Sequence, residues 1–231
     1  MMKFNQTLAI GLLALGLCSV AFAQDATTPV AANASVAVSA TVSAPVVLTP
    51  KQKKEQTVKL DLKNSVINWK AEKIGGGHNG TIKIKSGDFR IKNGFVSDGW
   101  VKVDLSTFAS SDLSGEDKTK LETHIKSADF LDVIKFKEAE FFVTNVKQNK
   151  DNPTTGTITG RLKMKNISLK VTFDAAINFG TNGAVTLTTS SFRIDRTKWG
   201  VKWGSSVLGS IKEGYVKDLV DIQAKLVGKV K

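Results

Sequence analysis

The sequence predicts an all-β domain, an antiparallel sandwich or barrel, on three observations. From Thr57 onward, apolar residues recur at every second position in many short runs, the period of a strand with one buried face. Turn-forming residues such as Asn93-Gly94, Asn152-Pro153 and Thr181-Asn182-Gly183 separate those runs, and each supplies backbone geometry that a turn requires. One stretch alone, near residue 120, carries helical spacing.

Taken in chain order, the first run is Val58, Leu60 and Leu62, closed by Lys63-Asn64. Ile67, Trp69 and Ala71 make the second. Gly75 to Gly80 reads as a glycine-rich hairpin loop, with a phosphate-cradling nest as the alternative; the Gly-Lys-Ser/Thr ending of a P-loop is missing. Ile82/Ile84 and Phe89/Ile91 follow, then Asn93-Gly94 and Val101/Val103/Leu105. Ser114-Gly-Glu-Asp places acids in a first helical turn, and Leu121 and Ile125 lie four apart on one face. That short helix is expected to cover one end of the sheet. Strand spacing resumes at Phe141/Val143, Ile158, Leu162/Met164, Leu169/Val171/Phe173, Val185/Leu187, Phe192/Ile194 and Val220/Ile222/Ala224/Leu226.

Lysines alternate with the apolar positions in several of these runs. An outer-membrane barrel turns its apolar face to lipid, and a ring of lysines there would cost several kcal/mol. The apolar side chains therefore point inward and the lysines into water.

The first 56 residues read differently. Lys3 precedes the apolar run Leu8 to Val20, and Ala21-Phe22-Ala23 supplies a small-x-small pattern, so residues 1–23 are expected to be an export signal cleaved after Ala23. A periplasmic or secreted location follows. Cys18 is the only cysteine of the chain and leaves with that segment, so the exported domain is held without disulfides. Residues 24–56 are rich in Ala, Val, Ser, Thr and Pro and are expected to be a flexible linker, with the folded domain spanning 57–231.

Little in the chain demands enzymatic chemistry. Two histidines, His78 and His124, sit in different elements and cannot furnish three metal ligands, so neither a metal nor a cofactor is expected. Ser205-Ser206 lack a nucleophile elbow, and the pair Asp129/Asp132 fits helix-end and loop roles. The net charge of +12 over 231 residues invites nucleic acid as a partner. Even spacing of lysine along the strands, with no aromatic platform and an export signal, favours an anionic membrane surface instead. A homodimer is left open. Two polar side chains extend inward apolar rows: His78 with Ile82 and Ile84, and Arg196 with Phe192 and Ile194. They are candidates for holding a polar head group. The competing reading hydrogen-bonds His78 within the core and pairs Arg196 with a carboxylate such as Asp129 or Asp132.

From about Thr57 onward the chain resembles the YceI-like, polyisoprenoid-binding family. The resemblance rests on Ser65-Val-Ile-Asn-Trp69, His78-Asn-Gly80, Lys126-Ser-Ala-Asp-Phe-Leu-Asp-Val133, Ala139-Glu-Phe141, Gly160-Arg-Leu162 and Ile194-Asp-Arg-Thr-Lys-Trp-Gly-Val201, in that order. Where the family has Phe-Phe-Asp this chain has Phe130-Leu131-Asp132, its Tyr-Pro is Phe136-Lys137, and Asn166 replaces a glycine. The resemblance implies an antiparallel eight-stranded lipocalin-like β-barrel with a short helical insertion, and a lumen holding a long isoprenoid or fatty amphiphile as ligand. Trp69, Ile82, Ile84, Phe89, Phe141, Leu162, Phe173, Phe192 and Ile194 are then the expected lining, with His78 and Arg196 at the head. The rival readings are a structural or stress-response domain with a filled barrel and a lipid-modifying enzyme using Ser205, Asp132 or His78.

Overall fold

In the computed structural model, residues 47–205 and 215–231 are described. The expected export signal and most of the expected linker lie outside them. A capped turn of helix, α1 (Pro50–Lys53), leads into β1 (Gln56–Leu60), β2 (Val66–Lys73), β3 (Gly76–Lys92) and β4 (Phe95–Ser110). The helix α2 (Gly115–Lys126) follows, then β5 (Glu138–Gln148), β6 (Thr155–Met164), β7 (Ile167–Phe179), β8 (Ala184–Thr189), β9 (Phe192–Asp195) and β10 (Val216–Val230). Every pairing is antiparallel.

Ten strands fill eight positions in a closed ring. β1 and β2 share one position, since both pair with β3 and with β10. β8 and β9 share another: β10 pairs with β8 through Lys225–Lys229 and with β9 through Leu219–Ile222. The ladder between β7 and β8 runs only from Ala175 to Phe179. Above it, among the described residues, β7 and β9 meet through side chains, with the ring of Phe173 stacked on Phe192 at 4.6 Å.

The inward parity is read correctly for Ile82 and Ile84, and it switches within β3. A register irregularity between Ile84 and Ser86 moves the buried set to odd positions, so Phe89 and Ile91 also face the core. At the far end of β3, Asn93 and Gly94 have φ of 53° and 85°, the left-handed pair a two-residue hairpin needs. Lys165 and Asn166 do the same between β6 and β7, with φ of 48° and 63°.

Two boundaries move. The glycine-rich stretch is not a six-residue loop: Ile74-Gly75 makes the turn, and Gly76–Gly80 already pair with Trp69–Lys73 as strand. The expected linker is also shorter at its C-terminal side. Thr49 caps α1, the Gly94 N–H donates to the Gln52 carbonyl at 3.0 Å, and Leu48 packs over Gly94. Residues 48–56 thus pack against β3 and the turn that follows it. This end of the ring is filled by Val58, Ile91, Phe95 and Val185, all essentially inaccessible. The opposite end carries α2, the turns at 74–75 and 165–166, and the loop after β9.

Candidate functional site

Between the filled end and α2 the ring encloses two adjoining cavities. The inner one has a volume of about 160 Å³. Of the predicted lining residues, Ile82, Phe89, Phe141 and Leu162 face it, as do Phe173, Phe192 and Ile194. Phe141, Phe173 and Phe192 run along one wall as a ladder of rings, with centroids 5.3 Å and 4.6 Å apart. The ring of Phe141 lies across β6 because residue 160 is glycine; a Cβ there would sit 2.2 Å from the ring. Ile84 does not reach this cavity and packs in the core cluster with Val58 and Leu60. Trp69 faces the other cavity.

The outer cavity, about 350 Å³, lies at the mouth beneath α2. Its apolar wall includes Trp69 stacked on Phe108 at 4.4 Å, together with Leu121 and Ile125 from the helix and Phe130 and Leu131 beyond it. Ile82, Leu105, Met164, Ile194 and Ile222 line both cavities, so they form the waist between them. The helix itself has no buried residue. It is anchored by Glu122, whose Oε1 accepts the Ser110 N–H at 3.0 Å; Leu121 and Ile125 line the outer cavity, and Ile125 also packs against Trp69, Ile82 and Phe108.

The polar groups of the mouth are mostly engaged. His78 Nδ1 lies 2.8 Å from Asp112 Oδ2. Asp112 also accepts from Ser110 Oγ at 2.7 Å and from the Asn79 N–H at 3.2 Å. Partial burial pushes its carboxyl up, but those hydrogen bonds outweigh it and hold the pKa at about 2. Arg196 is 5 % exposed. Its Nε donates to the Lys217 carbonyl, Nη1 to those of Val201 and Trp203, and Nη2 to that of Val216 and to Asp218, at 2.8–3.4 Å. All five N–H groups of the guanidinium are thereby occupied. Burial lowers its pKa and Asp218 opposes the shift. The guanidinium offered to a head group on sequence grounds lines the outer cavity over the ring of Phe130, and it also clamps the loop after β9 against β10. Its carboxylate partner is Asp218, not Asp129 or Asp132; those pair with His124 at 3.3 Å and Lys135 at 3.2 Å.

Sequence reasoning missed Asp112, which lies beyond the end of β4, and Phe108 within it. Thr107 Oγ1 donates to the Asp104 carbonyl and accepts the Lys83 N–H, and the register of β3 against β4 shifts there. Period-two spacing counted on from Leu105 therefore fails before Phe108. The helix pair Leu121/Ile125 was visible, but not that a cavity lay under it. Among the described residues, no three His, Cys, Asp or Glu side chains are grouped to hold a metal ion.

The comparisons with known proteins agree with this architecture. A family model described as YceI-like domain matches residues 58–228. A UPF0312 protein of Pseudomonas putida is 35% identical over 117 residues, covering 50% of this chain and 57% of that protein. One from Pseudomonas fluorescens is 33% identical over the same length. The match thus spans a little over half the length of these curated relatives. Among solved structures, BcnA of Burkholderia cenocepacia superposes with a TM-score of 0.54 at 16% identity, covering 73% of this chain and 98% of that one. A polyisoprenoid binding domain from Saccharophagus degradans, implicated in plant cell wall breakdown, gives 0.53 at 10% identity, covering 77% and 100%.

Proposed function

The chain belongs to the YceI-like domain family, and from that premise we propose that it is an exported carrier that holds one long-chain isoprenoid or related amphiphile inside the barrel. The observation that carries this reading is the pair of joined apolar cavities, of about 160 and 350 Å³, running from the aromatic ladder to the space under α2. A dry cavity near 150 Å³ accommodates a benzene-sized guest, so the two together have room for on the order of twenty carbons. Each buried CH₂ contributes roughly 0.8 kcal/mol, and ten of them outweigh the cost of ordering a flexible ligand. A longer chain would project from the mouth.

The tail occupies the inner cavity and the polar end lies at the mouth, where His78, with Nδ1 held by Asp112, presents its other ring nitrogen. Export is supported by the apolar run and small-x-small pattern of residues 8–23. A binding role is favoured by the lining of the two cavities, in which apolar side chains predominate. The polyisoprenoid binding domain of Saccharophagus degradans, sharing this fold, supports the choice of ligand class.

A fluorescent polyene fatty acid titrated into the purified protein tests the reading. Saturable binding near one molecule per chain is expected, with loss in Val171→Trp, which fills the inner cavity. Binding unaltered by Val171→Trp would place the probe outside the lumen and remove the basis of the proposal.

A further inference from the structure

Three segments meet on one side of the mouth: residues 130–137 after α2, the β6–β7 turn, and the loop after β9. Lys165 Nζ donates to the Phe130 carbonyl at 2.6 Å, the rings of Phe130 and Trp203 are 5.2 Å apart, and Trp199 Nε1 donates to the Leu162 carbonyl at 3.1 Å. This sector exposes apolar side chains. Ile134 is 89% exposed, and Ile167 and Trp203 are each 38% exposed.

Cations outnumber acids on the surrounding surface. Lys135, Lys137, Lys198 and Lys202 are exposed in the same sector. Three acids share the sector: Asp129 lies against His124, Asp132 pairs with Lys135, and Asp195 accepts from the Thr197 N–H and hydroxyl, so Lys137, Lys198 and Lys202 are the cations left without a carboxylate partner among the described residues. Isolated exposed isoleucines need no explanation. Exposed isoleucines at two turns, with an indole and lysines in the same sector, have the makeup of an interfacial anchor: apolar tips enter the acyl boundary and ammonium groups meet lipid phosphates.

We infer that this sector docks the barrel on an anionic phospholipid surface through Ile134, Ile167 and Trp203, with Lys135, Lys137, Lys198 and Lys202 as the cationic collar. The inference deepens the carrier reading, since Phe130 and Trp203 also line the outer cavity; docking here brings the mouth against the bilayer. A ligand then passes between membrane and lumen without crossing water.

The test is co-sedimentation of the full chain with vesicles of phosphatidylglycerol and phosphatidylcholine, or of phosphatidylcholine alone. Binding to the anionic vesicles is expected, falling steeply with salt. Ile134→Asp should weaken it about tenfold, and the combined change of Lys135, Lys137, Lys198 and Lys202 to Gln by on the order of a hundredfold, given the attraction of each lysine to an anionic surface. Replacing Lys51, Lys53, Lys54, Lys92, Lys147 and Lys150 at the opposite end with Gln controls for charge alone and should change binding far less. Equal losses from both lysine sets, or no loss in Ile134→Asp, would overturn the inference. So would vesicle indifference combined with capture of an acidic protein by the same face. Because these side chains lie outside the lumen, polyene fatty acid binding in solution should be unaltered in every variant; losing it while vesicle binding persists would count against the carrier reading alone.

Discussion

The Nδ1 atom of His78, at the start of β3, lies 2.8 Å from the carboxylate of Asp112, just beyond the end of β4. The contact ties the two strands together at the rim of the outer cavity. It also fixes which ring nitrogen of His78 is left for a ligand.

Asp112→Asn should lower stability at pH 7 by about 1–2 kcal/mol, reflecting the carboxyl held at about 2 instead of 3.8 and allowing for partial exposure. The sign follows from the depressed value. The wild-type advantage is complete above about pH 4 and fades as acid carries the solution down through pH 2. Urea denaturation of both proteins at pH 7 and pH 2 measures the difference, which should shrink to a small fraction of its pH 7 value at the lower pH.

Gly80→Ala should be among the most damaging single changes. A Cβ at Gly80 would stand 1.9 Å from the Ala109 carbonyl oxygen and 2.8 Å from Trp69 Cζ2. Neither can yield easily, because one is backbone and the other is stacked on Phe108. A loss of about 3 kcal/mol or failure to fold is expected, read by thermal melting.

Arg196→Lys keeps the charge and removes the planar fork. An ammonium has three donors, and its single nitrogen cannot span the four carbonyls and Asp218 that the guanidinium reaches. Stability should fall by about 2–4 kcal/mol through the unpaired buried carbonyls. If Arg196 is a clamp and not a head-group contact, the ratio of affinities for a charged and an uncharged ligand of equal chain length should stay as in the wild type. A selective loss of the charged ligand would restore Arg196 to the head-group role.

Much of this was legible in the sequence because strand parity is a short-range signal. Ile82, Phe141, Leu162, Phe173 and Ile194 sit on inward positions of regular ladders and were readable from period-two spacing. Asn93-Gly94 and Asn166 announced their turns by tolerance of positive φ. What escaped depends on contacts far apart in the chain. Asp218, the partner of Arg196, arrives on β10, and no local pattern connects the two. Ile84 has the same parity as Ile82, yet packs in the core cluster with Val58 and Leu60 and does not line the inner cavity, a distinction that alternation does not encode. The docking of Leu48 over Gly94 was hidden by the low-complexity run leading to it.

The barrel's role turns on what occupies the joined cavities. Protein purified from its native envelope, extracted with organic solvent and examined by mass spectrometry, answers this most directly. The account predicts one amphiphile per chain, absent from a Val171→Trp preparation made in parallel. Wild-type protein yielding no lipid beyond the trace found in that variant would contradict it.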